Sequence, residues 1–255
     1  MGSSSVSVYF VLGTPGSGRR EIVLDLVENG LGPAEKVLVL LASHEEPNPS
    51  EERLSRREAT QVLRRDWTPA QLPEIDLPTE GTVFFLADPR GDAITQLESL
   101  QPWLLSRGAQ LARVFTVVDC QFAEKHAAAR AWFDACVHFS DVVFLTRRAG
   151  VENKWVSDFM RHFEAECSPA LFIQLKKGGL ANPALVLSPE PRRLSQYFDE
   201  TEDFSGLEIE TDDDEEPEEG EDDGLPAAEP YFERLRSGRR AREVPDITKY
   251  LPAGK

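Results

Sequence analysis

A glycine-rich turn between a strand-like and a helix-like segment is the feature that most constrains how this chain folds. The apolar residues 8–12 run directly into the octapeptide GTPGSGRR, which spans residues 13–20. Residues 19–29 then place apolar side chains at four-residue spacing, and Gly30 follows them. Helical periodicity that begins one glycine turn after a buried strand predicts the first strand–helix unit of an open α/β sheet.

The same alternation continues to about residue 198. Apolar runs typical of strands buried on both faces lie at residues 6–12, 37–41, 82–87, 113–118, 142–145 and 170–175. Helical patterns lie at residues 19–29, 50–65, 92–106, 122–137 and 152–166. Ser50 is predicted to cap the second helix, and residues 66–81 are predicted to be a loop. The alternation predicts a doubly wound, mostly parallel sheet in a three-layer α/β/α domain over residues 1–198.

The glycine turn also has the spacing of a phosphate-binding loop, G-x-x-x-x-G-K-[ST]. Glycines let backbone N–H groups curl around phosphate oxygens, and the helix that follows presents its positive dipole end. The residues predicted to contact a nucleotide or phosphate are Gly13, Gly16, Ser17, Gly18, Arg19 and Arg20. This motif makes the predicted fold P-loop NTPase-like.

Two arginines stand where the motif requires a lysine and a hydroxyl. Arg19 takes the lysine position and keeps the charge, with a wider, planar head group. Arg20 takes the Ser/Thr position, and a guanidinium cannot ligate Mg²⁺. Three interpretations stay open: Arg20 points away and leaves a site poor in metal, it replaces Mg²⁺ and binds phosphate directly, or the glycines only make the turn. In all three, magnesium binding is doubtful and efficient catalysis is not expected.

Later segments, taken in order with GTPGSGRR, resemble a known family. They are FFLADPRGDAI, VFTVVDCQFAEKH, FSDVVFLTRRAG and CSPALFIQLKKGGL. Together they resemble the CobW-like metallochaperone GTPases over roughly residues 6–175, most specifically in VFTVVDC and SDVVFLTRR. The resemblance implies a P-loop fold, a ligand such as GTP, GDP or another nucleotide, and a link to metal delivery.

The chain departs from that family at its functional motifs. The guanine-reading motif N/T-K-x-D is matched by Thr146-Arg147-Arg148-Ala149, which leaves a degraded base site at Thr146 and Arg147 because the aspartate that accepts from the base is absent. The metal motif GCxCC is absent from residues 44–81. His44, Glu45 and Glu46 are either metal ligands there or part of a solvated loop, so the metal stays unknown.

Two acidic residues follow predicted strands and are candidates to orient a water molecule or Mg²⁺. Asp88 lies in LADPRG, where it matches either an acidic catalytic position or the structural ADP of the family. Asp119 ends VVD, at the edge where such sheets bind ligands. The alternative for Asp119 is a helix cap or a turn residue.

Charge separates a nearly neutral body from one acidic segment. Residues 199–224 hold 16 of the 45 acidic residues and no Lys or Arg, which leaves 29 acidic and 28 basic residues elsewhere. Residues 199–229 are therefore predicted to be a disordered acidic linker. The body has no basic stripe, so binding to nucleic acid is not expected.

The last segment, residues 230–255, is basic and aromatic. It holds seven Lys or Arg against three Asp or Glu, together with Tyr231, Phe232, Leu235, Ile247, Tyr250 and Leu251. Two interpretations stay open: a peptide that docks on a protein partner, or a solvated tail without a specific contact.

The remaining features concern the cellular setting. The chain has no apolar run long enough to span a membrane and no secretion signal at its N-terminus, so membrane association is not expected. The three cysteines, Cys120, Cys136 and Cys167, lack metal-type or redox spacing and are predicted to be reduced core residues. These features predict a cytoplasmic protein.

The sequence as a whole predicts a diverged CobW-like P-loop protein with weak or no GTPase activity that acts as a binding or regulatory partner. The first alternative is an active GTPase coupled to metal-ion delivery. The second is an assembly protein in which the sheet carries the charged tail.

Overall fold

The computed structural model describes residues 6–175, 179–199 and 229–252. Within them, seven strands form one sheet in the order β3-β2-β4-β1-β5-β6-β7, and every neighbouring pair is parallel. The strands are β1 (Ser7–Gly13), β2 (Val37–Ala42), β3 (Thr60–Arg65), β4 (Thr82–Leu86), β5 (Gln110–Asp119), β6 (Val142–Thr146) and β7 (Leu171–Gln174). The helices are α1 (Arg19–Asn29), α2 (Pro49–Ser55), α3 (Ala93–Leu105), α4 (Cys120–Lys125), α5 (Arg130–His138), α6 (Asn153–Ala165) and α7 (Pro183–Leu187). The predicted doubly wound α/β sheet is confirmed.

Two hydrophobic clusters, one on each face of the sheet, join the three layers. Along β1, Val8, Phe10 and Leu12 belong to one cluster, whereas Tyr9 and Val11 belong to the other. The first cluster includes residues of α3, α5 and α6, and the second includes residues of α1 and α7. Because successive side chains of a strand point to opposite faces, a strand covered by helices on both faces is apolar throughout. The continuous apolar runs in the sequence have this origin.

The glycine turn lies at the point where the strand order reverses. β1 is flanked by β4 on one side and β5 on the other, and the chain crosses from one side to the other through α3. Open α/β sheets bind ligands at the carboxyl edge beside such a reversal. β1 ends at this edge in Gly13, directly before the turn into α1. A central parallel strand, a glycine turn and a helix in this arrangement constitute a P-loop NTPase-like fold.

The prediction of one helix over residues 50–65 is wrong. α2 ends at Ser55, and residues Thr60–Arg65 form the edge strand β3, which pairs with β2 along its full length. The predicted cap is wrong as well, because Asn48 caps α2 by accepting a hydrogen bond from the backbone N–H of Ser50. The short run that begins at Thr60 is ambiguous by periodicity, and pairing with β2 decides its conformation.

The helix predicted over residues 122–137 is divided in the structure. α4 ends at Lys125, a 3₁₀ turn covers Ala127–Ala129, and α5 begins at Arg130. The break occurs at His126, whose backbone leaves the helical region with φ −114° and ψ 65°. A change of helix direction at this point leaves no mark in the apolar periodicity, which continues through the break.

Residues 229–252, which we call the C-terminal strap, pack against the domain. Tyr231 and Ile247 are buried, and the ring of Phe232 stacks on that of Phe139 with 5.2 Å between centroids. Leu235 is 54 % exposed. The aromatic residues that suggested a docking peptide therefore contact this chain itself. Of the acidic linker predicted over residues 199–229, all but Asp199 and Glu229 lie outside the described part of the chain.

Burial divides the three cysteines into two kinds. Cys120 and Cys136 are buried, and burial raises the pKa of Cys120 to about 12 and that of Cys136 well above its ordinary value. Cys167 is exposed, which corrects the prediction that all three are core residues. Among the described residues, no helix combines the length and the apolar character that crossing a bilayer requires.

The acid stability of the domain is expected to depend on Glu229, at the start of the strap. Burial by itself raises the pKa of Glu229, but hydrogen bonds from His138 and Ser195, the charge of His138 and the backbone N–H of Tyr231 lower it below its ordinary value of 4.5. A carboxyl whose pKa is lowered on folding stabilises the fold above that ordinary pKa, and this contribution is lost as the pH falls through the folded pKa.

We therefore expect Glu229→Gln to lower the free energy of unfolding by about 1–2 kcal/mol at pH 7 and by much less near pH 3. Urea unfolding of both proteins across this pH range measures the difference. The control is Glu243→Gln, since Glu243 pairs with Arg239 in an exposed position. An equal loss at both pH values would contradict the assigned role of the Glu229 carboxylate.

Candidate functional site

The loop between β1 and α1 has the backbone shape of a phosphate-binding loop. Gly13, Gly16 and Gly18 all have positive φ values, of +147°, +72° and +99°. A Cβ atom on Gly13 would lie 2.8 Å from the Ser17 hydroxyl and 2.8 Å from the carbonyl oxygen of Val117. Glycine is therefore required at position 13 for two reasons: neighbouring atoms leave no room for a Cβ atom, and other residues rarely adopt this backbone conformation.

The interior of this loop is filled by the side chains of the chain itself. Besides Ser17, the Arg19 side chain passes the inner side of Gly13, with its Cδ 3.1 Å from the position of a Cβ there. The cavity that remains at the mouth of the loop has a volume of about 40 Å³ and is lined by residues that include Gly16, Ser17, Gly18, Arg19, Arg20 and Arg147. A cavity of this size holds a few water molecules, since each needs about 10–15 Å³, whereas pockets for larger ligands measure about 300–1,000 Å³.

Arg19 is the centre of the closed loop. Its side chain is 3 % exposed, and one guanidinium nitrogen, Nη2, donates to Oε2 of Glu45 at 2.7 Å. The other, Nη1, donates to the carbonyl oxygen of Ala87. Glu45 follows β2 and Ala87 follows β4, so one buried side chain ties the glycine turn to two neighbouring loops. Its positive charge is already neutralised within the protein.

Arg20 turns away from the loop interior. Its Nη1 contacts Oε1 of Glu51 at 2.6 Å and the carbonyl oxygen of Glu46. Glu51 also accepts from Arg64 of β3, at 2.7 Å from Nη2. The Arg20 guanidinium is therefore directed to acceptors in the loop after β2 and on α2. This orientation attaches α1 to α2 and to the edge strand.

Thr146, at the end of β6, supports the loop from two strands away. Its hydroxyl lies 2.7 Å from the carbonyl oxygen of Ser17 and 3.0 Å from that of Val118. The hydroxyls of Thr14 and Ser17 are buried and have no hydrogen-bond partner among the described residues. Thr146 therefore supports the turn, and of the two unpaired hydroxyls that of Ser17 lies beside the small cavity.

Arg147 and Asp119 lie together beside the mouth of the loop. The Nε atom of Arg147 is 3.6 Å from Oδ2 of Asp119, and the guanidinium also reaches over Gly16. The Arg147 backbone is left-handed, with φ +46°, which is unusual outside glycine. Asp119 caps α4, because it accepts a hydrogen bond from the N–H of Phe122 at 3.0 Å. This contact is the cap that the sequence left open as the alternative for Asp119.

The remaining candidates, Asp88, His44, Glu45 and Glu46, do not form one common site. Asp88 accepts from the N–H of Arg90 at 2.9 Å and lies 3.1 Å from Nε2 of His44. Glu45 pairs with Arg19, and Glu46 offers its carbonyl oxygen to Arg20. In the part of the chain that the structure describes, no three His, Cys, Asp or Glu side chains are grouped in a way that could hold a metal ion.

Sequence reasoning missed the counter-ions of the two arginines. Glu45 was considered only as a metal ligand or a residue of a solvated loop, and Glu51 was not singled out from the acidic run HEEPNPSEE, residues 44–52. An arginine at each of two adjacent motif positions is a signal for two acidic partners nearby, because a buried charge requires one. Which acids serve as partners depends on how β2, α2 and β4 pack.

Comparisons with known proteins found similar solved structures at low sequence identity. No protein-family model and no curated protein matches it. Among solved structures, it is similar to the Zn(II)-bound YjiA GTPase from E. coli, with 13 % identity and a TM-score of 0.42, and to a Zn(II)-bound triple mutant of the YjiA GTPase, with 14 % identity and a TM-score of 0.41. Each alignment covers 74 % of this chain and 66 % of the other.

The buried pair of Arg19 and Glu45 makes a sharp prediction about stability. Replacing Glu45 by Gln leaves the Arg19 guanidinium buried without a compensating charge, and breaking such a pair costs about 3–5 kcal/mol. We expect Glu45→Gln to lower the free energy of unfolding by about 3 kcal/mol in urea titrations.

The matched control is Glu28→Gln. Glu28 pairs with Arg53 at 2.6 Å, but both side chains are exposed by more than a third, so the expected change is below about 1 kcal/mol. Equal effects of the two substitutions would show that Arg19 does not depend on Glu45.

Proposed function

We propose that this chain is a diverged P-loop GTPase-like protein without Mg²⁺-dependent nucleotide hydrolysis, and that it acts as a binding module. The observation that carries the proposal is the position of Arg19. Its side chain contacts Glu45 and the carbonyl oxygen of Ala87 in place of a phosphate. A cation committed to two protein acceptors is not available to stabilise the charge that develops during phosphoryl transfer.

The residues present do not fit a nucleotide with magnesium. The Ser/Thr that would ligate Mg²⁺ is replaced by Arg20, whose charge is held by Glu51. The cavity of about 40 Å³ is far too small for a triphosphate. Asp119 is engaged as a helix cap and Asp88 is engaged with His44. We therefore derive no catalytic step through a bound nucleotide.

The two arginines can perform the ordering that a nucleotide performs elsewhere. In nucleotide-driven GTPases, contacts to the γ-phosphate and Mg²⁺ order two loops, which are released on hydrolysis. Here Arg19 joins Glu45 to Ala87, and Arg20 joins Glu46 to Glu51, all through bonds within the chain. A protein built in this way presents one constant loop surface, which suits a binding module that is not switched by hydrolysis.

Weak binding of a small oxyanion is compatible with this role. The unpaired hydroxyl of Ser17 and the first N–H groups of α1 are donors beside the small cavity. Binding through such donors requires no metal. A protein partner remains part of the proposal, and the exposed Leu235 at the turn of the strap is the candidate contact.

The proposal predicts no GTP turnover and no benefit from magnesium. Because no group in the site ligates Mg²⁺, GDP and phosphate should bind equally weakly in EDTA and in Mg²⁺. Calorimetric titration measures binding, and phosphate release measures turnover. Mg²⁺-dependent turnover by the unaltered protein that is lost in Gly18→Val would contradict the proposal and support an active GTPase.

A gain-of-function variant tests the same idea from the other side. The variant combines Arg19→Lys, Arg20→Thr and Glu45→Gln in one chain. It restores the lysine and the hydroxyl of the motif, and it removes the carboxylate that pairs with residue 19. We expect GDP to bind at least about tenfold more tightly in Mg²⁺ than in EDTA for this variant, a difference of about 1.4 kcal/mol. The control is Arg53→Lys, which changes an exposed arginine outside the loop.

A further inference from the structure

The C-terminal strap runs along the domain from the carboxyl end of α5 to the loop that precedes α3. It begins at Glu229, whose carboxylate lies 2.9 Å from Nε2 of His138, at the carboxyl end of α5. It ends in a 3₁₀ turn, Ile247–Tyr250, beside the amino-terminal part of α3. α5 begins near the carboxyl edge of the sheet and leads back to its base, so the strap retraces α5 in the opposite direction.

The middle of the strap is fixed by charge and by aromatic contacts. Arg240 donates to Oε2 of Glu98 at 2.7 Å and to the Thr95 hydroxyl at 3.1 Å, both on α3. Arg234 donates to the same Glu98 oxygen at 2.8 Å. The Tyr231 ring lies 5.0 Å from that of His138. Glu98 is therefore the common acceptor for two arginines of the strap.

The upper end of the strap, residues 244–250, which we call the upper anchor, lies around one cavity with the loop that follows β4. Ile247 is 2 % exposed, and it lies with Val244 around a cavity of about 130 Å³ whose opposite wall includes Gly91 and Trp132. Asp246 accepts from the N–H of Thr248 and so caps the 3₁₀ turn. The hydroxyl of Tyr250 adds a long contact of 3.4 Å to the carbonyl oxygen of Ala128.

The same loop receives Arg19. It begins at Ala87, whose carbonyl oxygen accepts from the Arg19 guanidinium, and continues through Asp88, which contacts His44. The side chain of Gln96, on α3, fixes the backbone of this loop. It accepts a hydrogen bond from the N–H of Asp88 at 2.7 Å and donates one to the Asp88 carbonyl oxygen at 3.1 Å. The strap therefore lies at one end of a segment whose other end accepts a hydrogen bond from the buried Arg19 side chain.

We propose that the C-terminal strap is a lock on residues 87–92, and that its release loosens the closure of the glycine loop by Arg19. The proposal goes beyond the proposed function and does not depend on it, since it concerns the ligand-free protein. The cavity of about 130 Å³ beneath the upper anchor makes this contact easier to release than a filled core, because a void removes packing contacts from the side chains around it.

Hydrogen exchange on the full chain tests the lock. Ile247→Asp places a carboxylate at a buried apolar position, and releasing the upper anchor is cheaper than burying that charge. We expect amide exchange in residues 87–92 to become about tenfold faster, including the N–H of Gly91, which bonds the carbonyl oxygen of Asp88. The matched control is Leu235→Asp, at the exposed turn of the strap, for which exchange in residues 87–92 should not change.

One result would overturn the proposal. If exchange accelerates within residues 229–252 while residues 87–92 exchange as before, the strap is released without any effect on the loop. Should Ile247→Asp fail to fold, Glu98→Ala carries the same test, because it removes the acceptor shared by Arg234 and Arg240 and leaves the core intact. Nucleotide titrations play no part here, so a failure of the lock is distinguishable from a failure of the proposed function.

Discussion

The buried guanidinium of Arg19 is the interaction on which the rest of the site depends. An arginine that is 3 % exposed requires acceptors for its charge and its N–H groups, because a buried charge without partners costs several kcal/mol. Glu45 supplies the charge, and the carbonyl oxygen of Ala87 supplies a second acceptor. Meeting these needs brings the loops after β2 and β4 against the glycine turn, and a cavity of about 40 Å³ remains at its mouth.

A lysine at the same position would not have this effect. An ammonium is a compact, strongly hydrated point charge, whereas a guanidinium offers a planar fork that can serve two acceptors in different directions. Arg19 uses this fork to join two loops, and Arg20 joins α1 to α2 through Glu51. The two arginines thus act together: Arg19 fills the interior of the glycine loop, and Arg20 is paired with an acid on α2. Both charges are compensated within the chain.

The fold could be predicted because strands that are buried on both faces of the sheet are apolar at every position. Strands such as β1 and β6 appear as unbroken apolar runs, and the glycine turn fixes where β1 ends. The edge strand β3 could not be found in this way. It is covered less completely, its residues alternate weakly, and its hydrogen bonds to β2 decide its conformation. The division of residues 122–137 into two helices was invisible for a related reason, since the turn at His126 is set by packing.

The candidate site shows the same division. The sequence alone determined three features of the site: the glycine positions, the exchange of lysine and hydroxyl for Arg19 and Arg20, and the absence of an aspartate after Thr146. Each of these features depends only on which residue occupies a position. Only the tertiary structure decided which acids pair with the arginines, that Arg20 turns outward, and that the strap lies against the domain. These outcomes depend on groups far apart in the chain, such as Arg240 and Glu98, whose distance is set by the packing of whole helices and strands. A sequence records which charges are present, but burial and geometry determine which of them meet.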